Sequence, residues 1–159
     1  MRPILAALCA MLGVAAPYDI HLGSPAPQHA SAPAVHLDEA RIVKINIRLD
    51  DRIIPATLND SKAAQDFASL LPLSLTLKDY ASTEKVSDLP KRLSTDGAPP
   101  GFDPSVGDIA YYAPWGNLAI YYRDFEYSTG LVSLGTLASG ADIFASRHSV
   151  QATFELAPR

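Results

Sequence analysis

Aromatic residues crowd one short part of this chain: Tyr111, Tyr112, Trp115, Tyr121, Tyr122, Phe125 and Tyr127 all fall within 17 positions. Tyrosine and tryptophan combine a large apolar area with a polar tip, so such a cluster suits a rim that holds an apolar or proline-bearing ligand. Cross-strand aromatic pairing, which stabilises a hairpin and plugs the end of a barrel, accounts for the same residues without any ligand. Trp115 stands apart because it occupies the tip of the turn Pro114-Trp115-Gly116-Asn117, and turn tips face solvent more often than strands do. Arg92, beside Lys91 and Asp88, can offer a guanidinium to a carbonyl or carboxylate. The alternative for Arg92 is a solvated ion pair, which is also the reading for Asp124 and Glu126 beside Arg123. Arg92, Tyr111, Tyr112, Trp115 and Tyr122 therefore form the candidate ligand-binding set.

Other chemistries find less support. His148, Asp142 and several serines make a hydrolytic triad only on paper, because no Gly-x-Ser-x-Gly elbow accompanies them. No phosphate-cradling glycine loop or metal-spaced set of His, Asp and Glu occurs in the C-terminal part, so no cofactor or metal is expected. His21, His29 and His36 lie in a segment without helical i,i+4 geometry and preform no metal site. Cys9 is alone, which rules out an intrachain disulfide or thiolate metal site. A net charge of −4 without any Lys/Arg block leaves no electrostatic footprint for nucleic acid or anionic lipid.

The elements that would position these residues begin after residue 40. Residues 1–15 start with one positive charge and a 13-residue apolar run, Ile4 to Ala16, ending in small residues, the layout of a secretory signal. That run is shorter than the roughly 20 residues a spanning helix needs, so no stable membrane insertion is expected once the signal is removed. Leu8 stands where a lipobox before Cys9 needs a small residue, so no lipid anchor is expected either. Residues 16–40, with Pro25, Pro27 and Pro33 among Ala, Ser, Gly and His, show no apolar period and read as a disordered linker. Export to a bacterial periplasm or to the exterior is the expected localisation.

From Arg41 onward the pattern changes. Val43, Ile45, Ile47 and Leu49 alternate with polar residues as a half-buried strand does. Arg52–Leu58 predicts a second strand, with Pro55 demanding an edge or a bulge because it lacks an N–H. Asn59-Asp60-Ser61 can cap a helix from about Lys62 to Leu71, ended by Pro72. Leu73, Leu75 and Leu77 mark a third strand. Tyr80 to Asp108 is so rich in Pro and Gly that it reads as one long loop, a length often associated with function. Asp108–Ala113 and Leu118–Tyr122 form a hairpin whose alternation points tyrosines to both faces. Leu131–Ala138 and Gln151–Leu156 are further strands, with a short helix over Ala141–Ser146. Seven or so strands, two helices and no βαβ rhythm predict a mainly β, closed antiparallel barrel over residues 41–159.

Phe67-Ala68-Ser69-Leu70-Leu71-Pro72-Leu73-Ser74-Leu75-Thr76-Leu77, Lys91-Arg92-Leu93 and the hairpin run from Gly107 to Tyr122 together resemble the bacterial cyclophilin-like fold family, over roughly Arg41 to Leu156. The resemblance implies an eight-stranded barrel with two short helices and an interior filled by side chains. It does not carry activity with it. True cyclophilins use a Phe-His-Arg segment whose arginine meets the substrate carbonyl, and this domain has no such segment. A non-catalytic barrel binding a small molecule or an extended peptide is the leading expectation. A divergent peptidyl-prolyl isomerase, with Arg92 as the cation at the substrate carbonyl, is the enzyme alternative. A scaffold or partner subunit of a redox protein is the third.

Overall fold

The computed structural model describes residues 42–158. The leader and linker read from the sequence lie outside them. Twelve elements follow in order: β1 (Val43–Leu49), β2 (Arg52–Leu58), α1 (Lys62–Ser69), β3 (Leu73–Tyr80), β4 (Glu84–Asp88), β5 (Gly101–Phe102), β6 (Asp108–Tyr112), β7 (Asn117–Tyr121), β8 (Ser128–Thr129), β9 (Leu131–Leu137), α2 (Asp142–Ala145) and β10 (Ser149–Leu156). Eight of the strands close an antiparallel barrel in the order β1-β10-β3-β4-β7-β6-β9-β2, and β5 and β8 pair as a separate two-stranded ribbon. Closure leaves the barrel without an open edge, which removes the unpaired backbone groups that invite aggregation. Among the described residues no helix is long and apolar enough to cross a membrane.

The alternation of β1 works as expected: Ile45, Ile47 and Leu49 are buried, while Lys44 and Arg48 face out. Ile54, Leu58, Leu77, Ile109, Leu118, Ile120 and Phe154 join them to fill the interior. α1 begins where Ser61 Oγ accepts from the Ala64 backbone N–H at 3.1 Å, with Ser61 itself fixed by the Asn59 side chain. Its buried face is Ala63, Ala64 and Phe67, and Phe67 meets Phe154 edge-on at 5.7 Å. The helix stops at Ser69, before the two leucines that its apolar stripe also recruited. Phe144 from α2 is the other helical side chain wholly withdrawn from water.

Two expectations need correction. Pro55 lies neither on an edge nor at a bulge, since β2 pairs with both β1 and β9. Its carbonyl accepts from Ala138 N on the β9 side, so its nitrogen also faces that side. There the ladder begins only at Ala56, so the missing N–H falls at the end of the seam, opposite Ala138, and interrupts no interior pair. The irregularity instead sits between β6 and β9, where the register shifts between Ile109 and Ala110 and leaves Leu134 as the extra residue.

The second correction concerns Tyr80–Asp108, which contains a full barrel strand, β4, as well as β5. β4 pairs with β3 and β7, and its inward residue is Lys85. A charged residue at the interior position reverses the apolar alternation by which a strand is recognised, so Glu84-Lys85-Val86-Ser87-Asp88 reads as a loop. The charge is tolerated because Lys85 Nζ meets Asp79 Oδ1 at 2.5 Å, on the neighbouring strand.

Candidate functional site

Three strands of the barrel wall turn a shallow basin outward. On the outer face of β4, β7 and β6, the register places Val86, Ala119 and Ala110 in one row. Asp88, Asn117 and Tyr112 form the row on one side of it, and Tyr80, Glu84 and Tyr121 the row on the other. Small side chains between two rows of larger ones leave a hollow. The hairpin turn brings Trp115 over it, and the β7–β8 connection brings Phe125. The result is a cavity of about 210 Å³ with aromatic walls from Tyr80, Tyr112, Trp115, Tyr121 and Phe125. Val86 and Ala119 form its floor.

Trp115 is clamped between two tyrosines. Its ring lies 5.4 Å from that of Tyr112 and 5.6 Å from that of Tyr80, edge-to-face in both cases. These are distances at which aromatic pairs add stabilisation beyond their buried area. More than half of Trp115 nonetheless remains exposed, at 58%, so the clamp presents its ring to solvent rather than hiding it. Tyr121 and Phe125 stack at 6.5 Å as a second aromatic pair.

The polar groups of the basin are few and partly unsatisfied. Among the described residues Glu84 is its sole charged side chain, with Asn117, Thr83 and Ser128 as further polar groups. Burial pushes the Glu84 carboxyl above its ordinary range, and the neighbouring Tyr121 hydroxyl offsets part of that effect. Burial, and then the neighbouring Glu84, push the Tyr121 hydroxyl up as well. Glu84 Oε2 and Asn117 Oδ1 are buried and have no hydrogen-bond partner among the described residues. Unpartnered buried acceptors cost stability.

A stability consequence follows from Glu84 alone. A carboxyl whose folded-state pKa is raised stabilises the fold fully below its unfolded value, ordinarily 4.5, and loses that contribution as pH rises toward the folded value. Glu84→Gln cannot ionise and keeps the shape of the neutral acid. Thermal melts at pH 7 are expected to show Glu84→Gln at least as stable as the wild type, with the difference vanishing below about pH 4. A variant that is less stable at pH 7 and equal in acid would contradict the raised carboxyl.

The candidate residues read from the sequence divide between the two sides of the wall. Tyr112 and Trp115 line the basin. Tyr111 and Tyr122 do not, because strand parity sends both inward: Tyr111 is 1% exposed within the core. Tyr122 Oη donates to Asp79 Oδ1 at 2.6 Å, and its ring lies 5.0 Å from Lys85 Nζ. Burial first, and Asp79 second, push the Tyr122 hydroxyl up to about 12. Arg92 is exposed on the far side of the hairpin turn, where its guanidinium donates to the Ala113 and Pro114 carbonyls at 2.7 and 3.4 Å. There it props the turn that carries Trp115 rather than facing the basin. Tyr80, Glu84, Asn117, Tyr121 and Phe125 were not in the candidate set. The alternation that puts Tyr112 outward also puts Tyr121 outward across the hairpin, so the signal for Tyr121 was present. Glu84 is hidden with β4, and Tyr80, the last residue of β3, with the ladder it forms to Glu84.

A separate hollow opens where Asp79, Tyr122 and Arg123 approach Arg147 and His148. Arg147 is paired there with Asp50 at 2.6 Å. Among the described residues no group of three His, Cys, Asp or Glu side chains is placed to hold a metal ion.

This barrel topology, eight strands with two short helices and a side-chain-filled interior, is that of the cyclophilin-like proteins. The model of the cyclophilin-like family matches residues 47–155, and the chain belongs to that family. Among solved structures, the hypothetical protein AF2241 from Archaeoglobus fulgidus is similar, with a TM-score of 0.55 over 76% of this chain and 98% of its own. Its identity to this chain is 15%, so the likeness is one of fold. No curated protein matches.

Proposed function

We propose that this cyclophilin-like chain is an exported, non-catalytic binding protein whose ligand occupies the aromatic basin on the outer face of β4, β7 and β6. The observation that carries the reading is the clamped but exposed Trp115, set over a floor of small residues and beside two unsatisfied acceptors. The leader pattern of residues 1–15 supports export. At about 210 Å³ the basin is smaller than the roughly 300 Å³ at which drug-sized pockets begin. A small molecule or a single side chain suits it better than an extended peptide.

The isomerase alternative needs a donor at the substrate carbonyl or proline nitrogen. Arg92, the cation considered for that role, would first have to leave two backbone carbonyls. A fragment screen by NMR is expected to move the Trp115 indole N–H resonance together with signals of Tyr112 and Tyr121. Trp115→Ala should weaken the best fragment at least tenfold, which corresponds to about 1.4 kcal/mol. A screen in which no signal of these residues moves would sink the binding reading. Accelerated cis/trans exchange of an Ala-Pro peptide, lost in Arg92→Ala, would replace it with the enzyme.

A further inference from the structure

The walls and acceptors of the basin select for the charge of its occupant. Five aromatic rings line it, and the face of each ring is the negative side of its quadrupole. Glu84 adds a carboxyl, and Asn117 adds an amide oxygen that is buried without a donor. No Lys, Arg or His contributes to the lining among the described residues. An anion would therefore meet like-signed groups from several directions. Thr83 and Ser128 can donate or accept and do not discriminate.

A positive charge is favoured by the same groups. Rings attract cations within about 6 Å of their centroids, most strongly where water is excluded. Burial disfavours the charged form of the Glu84 carboxyl, and a cation seated beside it offsets that cost. A bare ammonium is compact, strongly hydrated and carries three N–H groups. The lining of the cavity is mostly apolar, and its one carboxyl belongs to Glu84 among the described residues. An alkylated ammonium matches it better, with methyl groups against the rings and a remaining N–H for an acceptor.

We propose that the basin binds a small alkylammonium group, with Tyr80, Tyr112, Trp115 and Tyr121 around the alkylated nitrogen and Glu84 as its counter-ion. This rests on the binding reading above and names the ligand class for the same site. The group belongs either to a free amine or to an alkylated lysine side chain. The chemistry recognised is the same in both.

The test uses the full chain and two isosteric probes. Protonated 2-(dimethylamino)ethanol and neutral 3-methylbutan-1-ol share their shape and differ in charge at the branching atom. Titrations followed by Trp115 fluorescence and NMR are expected to give at least tenfold tighter binding for the ammonium. Glu84→Gln, which preserves the shape of the neutral acid, should remove most of that preference. A short peptide bearing dimethyllysine that binds more tightly than the free amine assigns the ligand to a protein side chain. Weaker binding of that peptide assigns the ligand to a free amine, and both results support the ammonium site.

Equal affinity for the two isosteres overturns the proposal and leaves an apolar binding site standing. Failure of both isosteres while other fragments shift Trp115 overturns it in the same way. Failure of the isosteres together with a silent fragment screen removes the binding reading as well.

Discussion

Asp79→Ala is expected to remove about 3 kcal/mol of folding stability, measured by urea unfolding near neutral pH. The Lys85 ammonium is completely withdrawn from solvent, and Asp79 Oδ1, 2.5 Å away, is its carboxylate partner. Breaking a buried pair from one side leaves the other charge unpaired, at a cost of roughly 3–5 kcal/mol. The lower end applies because the Asp79 side chain is still 25% exposed, so water already shares in solvating it. Tyr122 loses its acceptor in the same variant and is left with only its ring against Nζ. Lys85→Met should cost less, about 1–2 kcal/mol, since a carboxylate near the barrel end keeps both water and the Tyr122 hydroxyl. The double variant should lose clearly less than the sum of the two, which a double-mutant cycle reads directly. A loss within about 0.5 kcal/mol of zero for Asp79→Ala would refute the buried pair.

The same carboxylate sets an acid limit. The hydrogen bond from Lys85, then that from Tyr122, holds the Asp79 carboxyl below its ordinary value of 3.8. A depressed folded-state pKa stabilises fully above the unfolded value and loses that stabilisation as pH falls through the folded one. Glu84 acts with the opposite sign, losing stabilisation as pH rises above 4.5. Asp79 and Glu84 together thus favour the folded barrel most between their ordinary values of 3.8 and 4.5.

Which parts of this molecule could be read from its sequence depended on whether the interior was apolar. β1 was legible because Val43, Ile45, Ile47 and Leu49 all face inward or nearly so. β6 and β7 were legible for the same reason, with Ile109, Leu118 and Ile120 marking one face. β4 was not, since its one fully buried side chain is Lys85. The stabilising partner, Asp79, lies six residues away on β3, and nothing local to β4 announces that the two will meet across a ladder. The site was half legible by the same logic. Trp115 followed from the turn and Tyr112 from the hairpin, whereas placing Glu84 and Tyr80 beside them required knowing that β4 pairs with β7 and β3. Arg92 illustrates the converse. A cation in a polar segment invites a ligand, yet two carbonyls of the neighbouring turn already occupy it.

The β2–β9 seam, which completes the cylinder, is where the other large effect is expected, in Gly135→Ala. Gly135 faces Leu58 of β2 on one side and Ile109 of β6 on the other, beside the register shift between β6 and β9. A Cβ at Gly135 would overlap the Thr57 carbonyl oxygen and stand 2.7 Å from Leu58 Cα. Both are backbone atoms and cannot rotate away as the end of a side chain can. Relief would have to come from separating the strands along a short ladder, Ala56 with Leu137, Thr57 with Thr136 and Leu58 with Gly135, flanked by the Ala138 N–H bond to the Pro55 carbonyl and the Asn59 N–H bond to the Leu134 carbonyl. The expected loss is about 3 kcal/mol, the upper end for overpacking, and a fall in Tm on the order of 10 °C. Hydrogen exchange should show amide protection lost first in β2 and β9, before the hairpin of β6 and β7. Gly97→Ala separates crowding from backbone conformation, because Gly97 has a φ of +74° but nothing within 4 Å of its added Cβ. That variant should lose only about 1–2 kcal/mol, the cost of placing an L-residue in the left-handed region. Equal losses in the two variants would show that close strand approach at Gly135 contributes nothing beyond ordinary backbone strain. A larger loss at Gly135 with intact Trp115 fluorescence would show further that the seam and the aromatic basin yield separately, since the basin rests on the β4–β7–β6 wall.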